Sequence, residues 1–194
     1  HLYKKITTIP DMRTIKILNR LRNRKDDTIM LAIVEELEKE GLRVADQTKY
    51  MRSLMPEVGV LTNRKPTESE SLDIQFGFTL AKQMGALDIG QTVVVKEQAA
   101  MAIEAIEGTD ACILRGGALA REGAVVVKTA KPDQDVRFDV PAVGMKTLQS
   151  MIDSQCKVLA MEAKRTIFVE QEAVLHKANE LGIVICAVEG ADEE

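Results

Sequence analysis

The sequence predicts an α/β protein in two parts, a small first domain and a larger second one with a mixed sheet and helices. Three observations carry this. Short β-branched runs, such as Thr92–Val95, Ala124–Lys128 and Ile183–Val188, alternate with segments of helical period. A stretch of turn formers without periodicity, PEVGVLTNRKP at Pro56–Pro66, interrupts the pattern and reads as the linker. The chain has 194 residues and is 45% hydrophobic, enough for one large core or two small ones.

In the first part, Ile15, Leu18 and Leu21 lie at helical spacing between Met12 and Arg22. Asp26 or Asp27 can cap a second helix, whose stripe is Ile29, Ile33 and Leu37, and Gly41 ends it. Leu42–Ala45 reads as a short strand, and Asp46–Met55 as loop or irregular helix. After the linker, Thr67 and Glu70 form a T-x-x-E capping box for a helix to about Met84 with Ile74, Phe78 and Ala81 on one face.

The second part begins with a strand at Thr92–Val95. Ala99–Glu107 suits either a helix by composition or the second arm of a hairpin turning at Glu97-Gln98. Thr109–Leu114 reads as a helical turn, Ala124–Lys128 as a strand and Lys146–Ser154 as a helix. Lys157–Met161 and Thr166–Val169 read as a hairpin, Glu170–Leu181 as a helix closed by Gly182, and Ile183–Val188 as a final strand. The acidic end, residues 191–194, reads as a disordered tail.

Composition excludes several classes of function. There is no Trp and aromatics are 3%, so base stacking is not expected, and a net charge of −4 gives no overall nucleic-acid signal. Cys112, Cys156 and Cys186 have no CxxC spacing and read as buried reduced thiols. With only His1 and His176, zinc sites and Ser-His-Asp or Cys-His chemistry are poorly supplied. A catalytic metal would need carboxylates, which favours Mg²⁺ or Mn²⁺. No apolar run is long enough to span a bilayer, and no secretory signal is visible. The start at His1 reads as a fragment or a processed chain.

The charge is uneven. Lys4, Lys5, Arg13, Lys16, Arg20, Arg22, Arg24 and Lys25 share their segment with one acid, Asp11. Such a cluster attracts phosphates or an anionic membrane surface, or it solvates a helix face.

Two stretches could carry chemistry. In KPDQDVRFDVPAVG at Lys131–Gly144, a strand over Asp135–Val140 would point Asp135, Arg137 and Asp139 to one face and Val136, Phe138 and Val140 to the other. Asp133, Asp135 and Asp139 are then candidate metal ligands, or one of them orients a water. Arg137, Lys131 and Lys128 suit phosphate oxygens. The same alternation also fits a solvated strand face bearing an ion pair. In IEGTDACILRGG at Ile106–Gly117, Glu107 and Asp110 flank Gly108-Thr109. A helix starting at Thr109 would offer free N–H groups to an anion, Arg115 adds charge, and Gly116-Gly117 would let a ligand approach the backbone. An ordinary capped strand–turn–helix junction fits as well. No Walker A loop and no GxGxxG occurs.

The runs DIGQTVVVKEQ (Asp88–Gln98), AIEAIEGTDACILRGG (Ala102–Gly117), VVVKTAKPDQDVRFDVPAVGMKT (Val125–Thr147) and VLAMEAKRTIF (Val158–Phe168) occur in this order. Together they resemble the UDP-2,3-diacylglucosamine pyrophosphatases of the LpxI type, a family of lipid A biosynthesis. The helix around Glu35–Gly41 and VLTNRKPTESE at Val60–Glu70 fit the same resemblance, which covers nearly the whole chain. It implies two α/β domains joined by a linker, with residues 1–60 the later part of the first, 61–190 the catalytic second, and the first domain's Gly-rich opening missing. It implies Mg²⁺-assisted hydrolysis of UDP-2,3-diacylglucosamine to 2,3-diacylglucosamine 1-phosphate (lipid X) and UMP, with water attacking the sugar-side phosphorus. An essential Asp of the family falls in QDVRFDVP, so Asp135 and Asp139 are the candidates, with Arg137 beside them. The expected partners are this substrate and a membrane surface, with no nucleic acid and with homodimer formation open. The expected location is the cytoplasm, peripheral at the inner membrane. The rival class is a nucleotide-sugar- or lipid-binding module without turnover.

Overall fold

Runs of Val are buried on both faces when helices cover both sides of a sheet, and the sheet here is of that kind. The computed structural model describes residues 10–21, 23 and 26–189. It divides into two units: one joins the described residues up to Lys49 with Asp135–Asp139, the other joins Tyr50–Gln134 with the chain from Val140 onward. The architecture is mixed α/β in two units, as the sequence implies.

The first unit contains α1 (Met12–Arg20) and α2 (Asp26–Glu38). Asp11 caps α1 by accepting a 2.7 Å bond from the Thr14 N–H. Arg13 of the basic segment pairs with Glu36 at 3.1 Å and Glu40 at 2.5 Å. Lys4, Lys5, Arg22, Arg24 and Lys25, like the acidic end, lie outside the described residues. Leu42–Ala45 is not a strand; it runs as irregular chain into α3 (Thr48–Met51) and a single 3₁₀ turn, Arg52–Leu54.

The second unit is built on a six-stranded sheet ordered β1 (Gly59–Val60), β8 (Val184–Val188), β6 (Val158–Glu162), β4 (Val125–Lys128), β2 (Thr92–Lys96), β3 (Ala99–Ile103). β4, β6 and β8 are parallel; β1, β2 and their neighbours pair antiparallel. α4 (Glu68–Ala86) covers one face, setting Ile74 and Phe78 on Val125, Val127, Val158 and Val184. α5 (Thr109–Ala120), α6 (Met145–Asp153) and α7 (Gln171–Glu180) contribute to the core on the other, with Ile113, Leu148, Met151 and Val174 packed on Val94, Val126, Leu159 and Ile185. Cys112, Cys156 and Cys186 are buried thiols outside any disulfide. Burial pushes the Cys112 and Cys186 thiols up to about 12.

Of the two readings of Ala99–Glu107, the hairpin holds. Glu97 and Gln98 both take the left-handed φ that a two-residue turn needs. The buried Asp73 carboxylate accepts both of their N–H groups, at 3.0 and 2.6 Å, and so fixes the turn. The capping box at Thr67 and Glu70 forms as read.

One strand pairing is corrected. Lys157–Met161 and Thr166–Val169 are not a hairpin: β6 is a central parallel strand, while β7 (Ile167–Phe168) pairs in parallel with β5 (Ala142–Val143). The fully buried VLAME run belongs between two parallel neighbours, and a hairpin would have left one of its edges open. The segment read as a linker is also held. Leu61 N–H donates to Ile185 O at 2.9 Å, and Thr62 Oγ1 accepts from Ile185 N–H at 3.0 Å. Arg64 makes a double bond-pair with Glu70 at 2.8 and 2.9 Å and donates to Gly182 O and Lys157 O.

Candidate functional site

In an open sheet with parallel strands, ligand sites gather beyond the strands' carboxyl ends, where helices also begin. Here that edge holds Lys128 at the end of β4, Glu162 at the end of β6 and Thr92, which pairs with Lys128, at the start of β2. Lys128 is 8% exposed. Its Nζ donates to Thr109 Oγ1 at 3.0 Å, at the first residue of α5, and to Ala142 O at 3.0 Å. The Thr109 hydroxyl donates in turn to Glu104 Oε1 at 3.0 Å. An ammonium group thus sits beside a helix N-terminus opened by Gly108 at φ 86°, with no side chain capping it. Both features favour negative charge.

Further cations near this edge are paired with carboxylates or carbonyls. Lys131 meets Asp88 at 2.8 Å, and the exposed Lys146 meets Asp110 at 2.6 Å. Arg115 donates to Ile103 O at 2.9 Å and to Glu107. The Arg115 bond holds the Glu107 carboxyl below the usual carboxylate range. An incoming phosphate would compete with these carboxylates for the cations.

Gly116 and Gly117 have a different role from the one read in the sequence. They lie inside α5 and are buried. A Cβ on Gly116 would stand 2.5 Å from Val94 Cβ, and one on Gly117 2.4 Å from Ser154 Cβ. The pair lets α5 lie close on the sheet and on the end of α6; a ligand has no access to their backbone. The helical turn expected at Thr109–Leu114 is a full helix for the same reason: the Gly pair sits in its interior at the packing face.

The Lys131–Gly144 segment is not a strand before Ala142. Asp135 Oδ1 accepts the Arg137 N–H at 3.0 Å, and Asp135 O accepts the N–H groups of Phe138 at 3.3 Å and Asp139 at 2.9 Å. This side-chain-to-backbone bond bends the chain into a turn, which an Asp two residues before its partner favours. Val136 and Phe138 are half-buried, as are Asp135, Arg137 and Asp139, so the two-faced arrangement is absent. Arg137 grips Asp135 through Nε and Nη2, the latter at 2.7 Å, and reaches Glu38 at 3.4 Å within the same unit. The Arg137 bond holds the Asp135 carboxyl below its ordinary range against the opposing effect of burial. Asp133 is exposed in a turn. Among the described residues no three His, Cys, Asp or Glu groups converge as a metal cage, and Asp133, Asp135 and Asp139 form none.

A further charged cluster, outside the two stretches singled out in the sequence, lies beside Lys131. Lys82, from α4, meets both oxygens of Glu162 at 3.1 and 3.2 Å, and Arg165 approaches the same carboxylate at 3.6 Å. The signal was present as EAKR, charges placed directly after a fully buried apolar run. Lys82 had no such signal, being one polar residue on a long helix.

The profile of the LpxI C-terminal domain matches residues 57–186, and that of the LpxI N-terminal domain matches residues 2–54. The chain is 33% identical, over 93% of its length and 69% of the relative's, to the UDP-2,3-diacylglucosamine pyrophosphatase LpxI of Caulobacter vibrioides. The chain belongs to the LpxI family.

Proposed function

We propose that this protein hydrolyses the pyrophosphate of UDP-2,3-diacylglucosamine, releasing 2,3-diacylglucosamine 1-phosphate and UMP. The observation that carries the reading is the match along nearly the whole chain to a relative named for that pyrophosphatase activity. The geometry supports it. Water adds to the sugar-side phosphorus, the bridging oxygen leaves with UMP, and the water's protons are lost to base or solvent. Such a reaction needs charge neutralisation and a placed water more than a covalent nucleophile. Lys128 and the α5 N-terminus offer the first. All three thiols are buried, and burial raises each of them, so none is suited to attack.

The resemblance also implies a divalent ion, although among the described residues the carboxylates do not converge as a ready-made cage. Mg²⁺ is commonly held by one or two carboxylates together with substrate phosphates, without a cage of protein groups. Its carboxylates would come from Asp133, Asp135 and Asp139, and it would supply neutralisation of phosphate charge. Asp135, ionised and tethered by Arg137, or Asp139 orients the attacking water.

The test is incubation of the protein with UDP-2,3-diacylglucosamine, with identification of products by mass spectrometry, in EDTA and after Mg²⁺ or Mn²⁺ is restored. UMP and the lipid 1-phosphate should appear, and should vanish with EDTA and return with metal. Binding without cleavage under all these conditions would leave the non-catalytic module as the better account. Equal turnover in EDTA would remove the metal from the mechanism.

A further inference from the structure

Past Lys128 the backbone leaves the sheet, and Thr129 N–H makes a 3.0 Å bond back to Gln91 O. The next backbone groups are then taken up by charged side chains. Ala130 N–H donates to Glu162 Oε2 at 2.7 Å. Ala130 O accepts from Lys82 Nζ at 3.0 Å. Lys131 O accepts from Arg165 Nη2 at 3.0 Å. The three side chains come from α4, the end of β6 and the β6–β7 connection, and they are bonded to one another through Glu162. The Glu162 side chain is only 10% exposed.

A largely buried carboxylate held by partly exposed cations is an expensive way to secure a loop, because apolar residues of similar volume often serve stability as well or better. What charged groups add is direction: each bond fixes one peptide unit in orientation. The peptide units fixed here are those of Ala130 and Lys131. They open the segment that carries Lys131 and continues along the chain into Asp133–Asp139.

We propose that Glu162, Lys82 and Arg165 are positioning residues for hydrolysis, a clamp that sets the backbone of Ala130–Lys131 and with it the Lys131 side chain as a phosphate-binding group. The clamp rests on the hydrolase reading given above. None of its members needs to touch the substrate. Their effect is on the placement of groups that do, and small misplacements of such groups reduce turnover steeply.

The experiment uses the full chain and three variants: Glu162→Gln, Glu162→Ala and the paired Lys82→Met/Glu162→Met. Two quantities are read, steady-state kinetics on UDP-2,3-diacylglucosamine and amide hydrogen exchange over residues 129–134. Glu162→Ala should speed exchange in that segment and lower kcat by about tenfold to a hundredfold, with a much smaller change in KM. Glu162→Gln, which still accepts from Ala130 N–H, should recover part of both. The paired apolar variant should fold at least as stably as Glu162→Ala and still lack kcat, since apolar packing restores stability without restoring direction. Parental kcat in the paired variant would overturn the proposal, as would parental exchange at 129–134 in Glu162→Ala. A parent chain without turnover would sink the hydrolase reading instead, and the exchange data alone would then decide whether the clamp holds the loop.

Discussion

At the scale of the residue, Asp135 shows how one side chain can bear two loads. Its carboxylate organises a turn by accepting the Arg137 N–H, and it is held ionised by the Arg137 guanidinium. Both partners are partly exposed, at 31% and 25%, and pairs of that kind contribute little to stability. Asp135→Asn keeps an acceptor for the turn and removes the charge. Hydrolysis should fall about a hundredfold or more, as when a preorganised charge is taken from a transition state. The melting temperature should scarcely move. Asp139→Asn should behave alike if Asp139 shares the role. Near-parental turnover in both variants would remove this turn from the chemistry. The sequence alone exposed the Asp-Arg-Asp cluster but misjudged its shape. Alternating charge suggested a strand, whereas the Asp-x-Arg hydrogen bond, a local competitor of the ladder, decides the backbone.

At the scale of the element, Glu70 ties a helix start to the chain before it. It completes the capping box with Thr67 and makes two bonds to Arg64, with its side chain 16% exposed. Burial raises its pKa, and the Arg64 and Thr67 hydrogen bonds more than offset this, so the net shift is downward. A folded-state pKa below the unfolded one means that the unfolded chain binds more protons between the two values. The stability from Glu70 is therefore present above the unfolded pKa and is lost as pH falls through the folded one. Glu70→Gln should lower the melting temperature at neutral pH, and its deficit against the parent should shrink through the acidic carboxylate range. A deficit constant with pH would show that the charge of Glu70 is irrelevant. Periodicity and caps made the helices and the β2–β3 hairpin legible in the sequence. The hold on Pro56–Pro66 was not legible, because its partners, Ile185, Gly182 and Lys157, lie more than ninety positions away.

At the scale of the whole molecule, the two-unit α/β organisation and the family were legible, since long runs with fixed order carry more information than any single motif. The carboxyl edge was half legible. Lys128, Thr109 and Lys131 were marked by their motifs and Glu162 and Arg165 by the EAKR run, while Glu104 and Lys82 reach the edge only through sheet order and helix placement. No helix among the described residues is long and apolar enough to cross a membrane. The proposed hydrolysis has water attack this substrate at the sugar-side phosphorus. Turnover of UDP-2,3-diacylglucosamine by the full chain in ¹⁸O-water, read by mass spectrometry, tests it most directly. Attack at that phosphorus puts one labelled oxygen in 2,3-diacylglucosamine 1-phosphate and none in UMP. Label in UMP, or intact substrate after prolonged incubation with divalent metal, would contradict it.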